Sequence, residues 1–555
     1  MNRRTIGALV SALMLAACSP ASEGANTVAG TASPGAAVAG EHGFTMPGHL
    51  RVAIQRDPET LNPLLSANTT EGLLNRLSFD LLVSVEPDGK TLVPELAAEV
   101  PTTQNGGISK DGLTITYRLR SGVKWQDGAP FTSKDVKFSW EAVMNPANNV
   151  NSHVGYEEVR SVELPSATTV VFHLKRKFAP FVETVFSESD NPIEIVPEHL
   201  LGKLPNVNQI AFNQNPIGTG PFKVKRWIHG DRIELVANPD YFLGAPKLKS
   251  IDVRVIPDEN TSVNALRTHE IDWMFEPSPN LYLTLKSLPD TAIHFVDEPQ
   301  TLNVYVNLAR PVLRDLRVRQ ALAYLIDKQS LVTRLTGGSA TVAGADQQPS
   351  SWAYEPNVAR YPPNLAKARH LLAQAGFTPG PDGMLRKAGQ PLSLQLSTNQ
   401  ENATRRIAET QIQAMLNSAG IAVEIKNYPA NLWFATYGQG GILANGKFDL
   451  TVTGWVAGLD PDDHSLFRCD QFPPAGTNYF HYCSQAMDAA QNAALATYDQ
   501  AARKQAYATI QKLIATDIPE IVLWYTRFPQ ATNPDFKGFD PNPINEAWNA
   551  YQWEI

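Results

Sequence analysis

Several things are missing from this chain, and each absence narrows what it can be. There is no Gly-x-Ser-x-Gly, no His-Glu-x-x-His and no Gly-rich loop ending in Gly-Lys-Ser/Thr, so the common signatures of esterase, zinc-peptidase and nucleotide-hydrolase chemistry are absent. Basic residues are not in excess: 47 Lys and Arg face 55 Asp and Glu, a formal net charge of −8, which argues against nucleic acid as a partner. Beyond the amino terminus no apolar run approaches the roughly 20 residues that a bilayer-spanning helix needs. No internal repeat is visible, and cysteine is scarce, three in 555 residues. What is present is ordinary for a globular protein: 43% hydrophobic and 18% charged residues. A body of about 500 residues is too long for one core and implies two or three domains.

The amino terminus reads as an address. Arg3 and Arg4 precede an apolar run, Ile6 to Leu15, which suits a signal peptide over residues 1–17. Leu15-Ala16-Ala17-Cys18 resembles a lipoprotein cleavage box, in which Cys18 becomes the acylated first residue; the alternative is a plain Ala-rich signal with an incidental cysteine. Two or three acyl chains give a stable anchor where one does not. Residues 18–48 are Ala, Gly, Ser, Thr, Pro and Val with almost nothing bulky, the composition of a tether reaching roughly 30 Å root-mean-square. The two remaining cysteines, Cys469 and Cys483, are an even pair in an exported chain and point to a disulfide worth about 3 kcal/mol on the chain-entropy estimate. A thiolate metal site would lack further ligands at suitable spacing.

Along the body, Leu113 to Met144 is the most ordered stretch. Ile115, Tyr117 and Leu119 alternate with polar residues as a half-buried strand does, Asp127-Gly128 is a turn, and a short strand follows. Thr132 and Asp135 form a capping box, and Phe131 and Val136 a hydrophobic staple. Leu50–Ile54 reads as a first strand, Leu73–Leu82 as a helix, and Phe222–Val224 with Ile233–Val236 as a hairpin entered through Gly218-Thr219-Gly220-Pro221, whose glycines permit angles a Cβ would hinder. Later come strands at 251–257, 302–308, 392–396, 421–425 and 521–525. Helices are expected at 262–268, 316–335, 365–375, 404–419 and 487–515. The apolar stripe of Val318, Leu322, Leu325, Ile326 and Val332 is taken to run through one long helix. Gly376 and Gly420 close their helices as left-handed caps. The β-α-β alternation predicts a mixed or parallel sheet.

Several of these phrases, in order, resemble the large extracytoplasmic solute-binding proteins that serve peptide and nickel ABC importers: LRSGVKWQDGAPFTSKDVKFSWE, NPIGTGPFKVKRWIHGDRIELVANPDYF, LRDLRVRQALAYLIDKQSLV, LAKARHLLAQAGF and the closing YDQAARKQAYATIQKLIATDIPEIVLWYTRF. The resemblance covers about residues 48–540. It implies an α/β, two-lobed periplasmic-binding-protein-like fold of class II type with an extra small α+β domain. The first lobe would take 49–88, 213–305 and 525–555, the small domain 89–212, and the second lobe 306–524. The implied function is capture of short peptides in an interlobe cleft and delivery to ABC permease subunits, with ATPase chains separate, by a lipid-anchored monomer in the periplasm or cell envelope that needs no cofactor and no metal. Nickel chelate, haem, opine or oligosaccharide are the alternative solutes. A secreted peptidase or hydrolase, or a lipoprotein chaperone, are the alternatives of another class.

By motif position the resemblance places Asn303, Tyr305, Trp433, Trp455, Gly458, Asp460 and Tyr525 at the ligand. Trp433 and Trp455 would offer aromatic contact area, with core packing as the competing reading. Peptide-binding members often carry an Asp two or three residues after the Gly-Trp; here Val456, Ala457 and Gly458 follow, so Asp460 is the candidate partner for a peptide ammonium. Arg317 and Arg319 are weighed for a ligand carboxylate against helix-start salt bridges. Asp462, Asp463 and His464 are read as a solvated turn rather than a metal site.

Overall fold

The computed structural model describes residues 42–66, 68–189 and 191–555. The signal segment, Cys18 and residues 18–41 of the expected tether lie outside them. From His42 the chain is already docked: the His42 N–H and the Thr45 hydroxyl donate to Asp535, at 3.0 and 2.6 Å. Phe44, the first bulky residue, stacks on His269 at 3.6 Å. The body therefore begins at least six residues before position 48, where composition had placed the tether's end.

Two mixed sheets organise the molecule. The first has seven strands in the order Ala292–Val296, Phe528–Thr532, Trp273–Met274, His49–Ile54, Ser250–Val255, Arg232–Ala237 and Phe222–Ile228. The second has six, in the order Thr341–Val342, Glu520–Tyr525, Gln300–Val306, Leu450–Val456, Ser393–Ser397 and Ala422–Ile425. Each carries parallel pairs, as the β-α-β pattern predicts. The chain passes between these sheets at residues 297–299 and again at 526–527. Asp297 and Arg527, one from each crossing, form an ion pair. Two short crossings between two sheet-based lobes are the geometry in which hinge bending is possible. The expected boundary at 305 needs correction, because Gln300–Val306 pairs throughout with the second sheet. The lobe changes before this strand, where Pro299 interrupts the chain.

The smaller third sheet, Thr114–Arg118, Thr169–Leu174 and Val159–Ser166, is antiparallel. The helix Ser133–Met144 contacts its strands, and the Thr132–Asp135 capping box is formed. Its core is shared: Phe79, Leu82 and Val83 pack into the same cluster as Tyr117, Phe172 and Phe181. The strands Val83–Val85 and Leu92–Pro94 pair across the boundary expected at 88, so no break in packing occurs there. The two most recognisable sequence phrases meet at this junction. The Gln126 side-chain amide donates to the Gly220 and Phe222 carbonyls, and its backbone N–H to the Gly218 carbonyl at 2.9 Å. A Cβ on Gly218 would lie 1.8 Å from the Ser78 carbonyl oxygen. Close backbone approach, rather than an unusual torsion, is what demands glycine there; neither Gly218 nor Gly220 is left-handed.

Three helices differ from expectation. The first is Thr69–Ser78, capped by Asn68, rather than 73–82. The stretch 316–335 is two helices, Leu316–Leu325 and Lys328–Thr336, because the Asp327 side chain accepts from the Ser330 N–H and starts a new one. Likewise 487–515 divides into Gln485–Leu495 and Gln500–Asp517, the second capped by Asp499. Among the described residues no helix is long and apolar enough to cross a membrane.

Candidate functional site

A cleft of about 330 Å³ lies between the lobes. One wall is Gln55, Arg56, Thr69, Thr70 and Glu276 from the seven-stranded side; the other is Thr301, Leu302, Asn402, Arg405, Gly454 and Trp524 from the six-stranded side. A smaller recess shares Thr301 with it and is lined by Gly458, Gln347 and Gln348 facing Gly89 and Pro543.

The strand register decides which side chains reach the cleft. Leu302 lies opposite Gly454 on one side and Trp524 on the other, one row across three strands. Thr301, Trp455 and Tyr525 form the adjacent row. Because side chains alternate faces, neighbouring residues on a strand point to opposite sides of the sheet. Thr301 lines the cleft as well as Leu302, because the register shifts between Leu302 and Asn303, but Asn303, Tyr305 and Tyr525 are not among its walls. Tyr305 packs edge-on to Phe480 in an aromatic cluster, and the Tyr525 hydroxyl donates to the Ala345 carbonyl at 3.0 Å. Trp455 is half-buried against the same cluster as Tyr305. Trp433 has 0% exposure and stacks on Tyr428, so it is a core residue and not a cleft wall. Of the expected residues, only Gly458 lines either recess.

Asp460 is already committed. Its carboxylate lies 2.6 Å from Arg503, with side-chain exposures of 4% and 5%, and also accepts from the Tyr507 hydroxyl at 3.3 Å. Arg503 sits 5.2 Å over the Trp352 ring. Glu183 of the small domain borders this pair; burial and the Asp460 charge push it up to about 8 against the pull of Arg503. The expectation that Asp460 is the free partner of a peptide ammonium is corrected by this ion pair. Arg317 and Arg319 are structural as well. The first pairs with Asp315 at 2.7 Å, and the second donates to the Leu313, Arg314 and Asp517 carbonyls. His464 pairs with Asp462 at 2.8 Å within the turn.

The charged groups that do face the cleft are Arg56, Glu276 and Arg405. Arg405 stands in the first turn of Ala403–Ser418, whose cap Asn402 accepts its backbone N–H. One of its Nη atoms donates to Asn399 at 3.0 Å, while Nε is buried without a hydrogen-bond partner. Among the described residues no carboxylate lies within ion-pair distance of it. Burial lowers its pKa below the usual arginine value, opposed by the neighbouring Tyr305 hydroxyl. Gly454 makes room for it: a Cβ there would lie 3.2 Å from Arg405 Nη2. On the other wall Glu276 follows the strand Trp273–Met274 with a left-handed φ of 44°. The Thr69 hydroxyl donates to its carboxylate at 2.6 Å. Its oxygen lies within 4.8 Å of those of Glu298 and Glu546. Burial raises all three carboxyls; Glu276 reaches about 7, with Arg56 opposing. Among the described residues the cleft thus offers Arg405, with no carboxylate in ion-pair reach, on one wall, and on the other the Glu276 carboxyl, raised by burial to about 7, with Arg56 acting on it. Such a pair suits a solute with separated negative and positive ends.

Comparison with known proteins agrees with this architecture. The family model for bacterial extracellular solute-binding proteins, family 5 Middle, matches residues 91–472. Oligopeptide-binding protein AppA of Bacillus subtilis is 30% identical over 520 residues, 91% of this chain and 91% of that protein. Its structure in complex with a nonapeptide superposes with a TM-score of 0.74 at 27% identity, covering 91% of this chain and 98% of the other. NikZ from Campylobacter jejuni, solved in complex with Ni(L-His), gives a TM-score of 0.76 at 29% identity, covering 92% and 99%. With a match across 382 of its 555 residues, this chain belongs to the bacterial extracellular solute-binding proteins, family 5.

Proposed function

We propose that the chain captures short peptides in the interlobe cleft and delivers them to ABC permease subunits whose ATPase chains are separate. The observation that carries this is Arg405, a cleft-facing guanidinium with no carboxylate in ion-pair reach among the described residues, on the wall opposite Glu276. Arg405 receives the peptide carboxylate, and Glu276 takes the ammonium role that sequence reasoning gave to Asp460. Thr301 and Leu302 of Gln300–Val306, Gly454 of Leu450–Val456, and Gly458 border the peptide. The likeness to AppA, solved with a nonapeptide, supports the same reading. The role is binding and not turnover, with no cofactor. A lipid anchor at Cys18 holds the protein at the envelope; acyl labelling that Cys18→Ser abolishes would support that anchor.

A second reading is favoured by the likeness to NikZ, solved with Ni(L-His): an anionic metal–amino-acid chelate would also set its carboxylate on Arg405. Native mass spectrometry of the full chain purified from rich medium separates the two. A ladder of short-peptide masses is the expected result. A single metal-containing mass would replace peptide with chelate, and hydrolysis of added peptides would refute a pure binding role.

A further inference from the structure

A second pocket of about 320 Å³ lies wholly within the lobe of the six-stranded sheet and shares no lining residue with the cleft. Ligand pockets run from about 300 to 1,000 Å³, so this one suits a small molecule. Its walls are mainly aliphatic, with Ile326, Val342, Ile514, Ile518 and Val522 among them. Three charged residues join that lining: Lys328, Arg360 and Glu520.

None of these three makes an ion pair within 4 Å among the described residues. Lys328 opens the helix Lys328–Thr336, and its Nζ donates to the Ala343 carbonyl at 3.2 Å. Arg360 donates to the Pro356 carbonyl at 3.2 Å. Its guanidinium is admitted by Gly344, where a Cβ would lie 2.4 Å from Nη1. Glu520 begins the strand Glu520–Tyr525 and is 5% exposed.

We propose that this pocket binds a free aliphatic α-amino acid, its carboxylate between Lys328 and Arg360, its ammonium on Glu520 and its side chain on the aliphatic wall. Two cations and one carboxylate without an ion-pair partner among the described residues, set beside an aliphatic wall, complement a zwitterion with an apolar tail. A fatty acid would satisfy the cations but bring a second negative group towards Glu520. An alkylamine would satisfy Glu520 but face both cations. The electrostatics support the geometry. Burial and the Arg360 charge bring Lys328 down to about 8, so it still carries its charge at neutral pH. Burial and Asp346 raise Glu520, and Lys328 opposes them; an arriving ammonium would favour its ionised form.

Isothermal titration of the full chain with L-leucine, L-valine and L-isoleucine tests this, with 4-methylpentanoate and isoamylamine as the two half-ligands. We expect a branched amino acid to bind one per chain and both half-ligands to bind more weakly. Lys328→Gln should weaken the amino acid roughly 10- to 100-fold, the loss of one charge-assisted contact. Glu520→Gln should weaken the amino acid but not 4-methylpentanoate. Peptide affinity at the cleft, measured on the same preparations, should persist in Lys328→Gln, which separates failure of this pocket from failure of the cleft reading. Val342→Phe, which fills the pocket without touching a charge, should also abolish the heat. The proposal is overturned if none of the three amino acids binds, if binding survives Lys328→Gln and Val342→Phe, or if saturating peptide displaces the amino acid competitively.

Discussion

Replacing Arg405 with Gln separates a ligand-binding cation from a structural one. The side chain donates to Asn399, has a buried Nε without a partner and has no carboxylate in ion-pair reach among the described residues. Removing a structural arginine strands its acid, but removing this one strands no acid among the described residues and gives up only the bond to Asn399. The melting temperature of Arg405→Gln should hold or rise, since burial already works against the charge. Ligand affinity should move the other way. Truncating one side of a desolvated charge pair costs roughly 2–5 kcal/mol, and at about 1.4 kcal/mol per factor of ten that is a roughly 30- to 4,000-fold rise in Kd. The assay is calorimetric titration with a peptide recovered from the native protein, run beside its C-terminally amidated form. The amide should bind the native chain as weakly as the free peptide binds Arg405→Gln. The two forms should be indistinguishable on the variant, because the cycle's coupling term resides in that one contact. If the variant weakens both forms equally, or leaves Kd within about twofold, the carboxylate does not sit on Arg405.

The Asp460–Arg503 pair should behave oppositely. Arg503→Met leaves a buried carboxylate alone and should cost roughly 3–5 kcal/mol in urea unfolding, while the stoichiometry of bound solute is kept in the fraction that folds. Gly218→Ala forces a Cβ to within 1.8 Å of the Ser78 carbonyl oxygen. It should destabilise by about 1–3 kcal/mol or more by the same measurement. Cys469 and Cys483 are bonded across a sequence separation of 14; the double Ser variant should lose about 3 kcal/mol. Stability should fall as pH rises from about 5 to 8.5. Asp80, Glu276 and Glu409 are raised to about 7, and Glu183 and Glu194 to about 8, each first by burial. A carboxyl raised on folding favours the folded state fully below its unfolded pKa, and that contribution disappears as pH passes through the folded value. A melting temperature that climbs from pH 5 to 8.5 would refute the protonated state of these buried acids.

Local chemistry was legible where its partners are close in sequence. The Thr132–Asp135 box spans three residues and is formed as read. So are the hairpin after Pro221 and the left-handed closures at Gly376 and Gly420. The helix over 316–335 was misjudged because its apolar stripe continues in phase through Ile326, and periodicity outweighs a single cap. Yet Asp327 with Ser330 is a legible start signal, and it prevails because the side chain satisfies an N–H that the preceding helix cannot. The junction between lobe and small domain was not legible, since the contact of Phe79 with the distant core depends on Gly218 and Gly220 lying flat on Ser78.

The site was legible to within one residue along each strand, and that is the distance at which a strand inverts. Gly-Trp marked the correct strand, but Gly454 faces the cleft and Trp455 the adjacent row. Likewise Leu302 and Trp524 line the cleft while Asn303 and Tyr525 do not. Large aromatics attract attention, yet Trp433 and Tyr305 show where rings of that size usually go, into a core that removes them from water. Asp460 looked available because its counter-ion is 43 residues away, on the helix Gln500–Asp517. Arg405 looked unremarkable for the converse reason: a guanidinium without a carboxylate has no partner in the sequence to betray it. A binding protein has to leave such a group unsatisfied until its solute arrives. Arg405 is proposed for that role because, among the described residues, no carboxylate lies in ion-pair reach of it and it faces the cleft from the wall opposite Glu276.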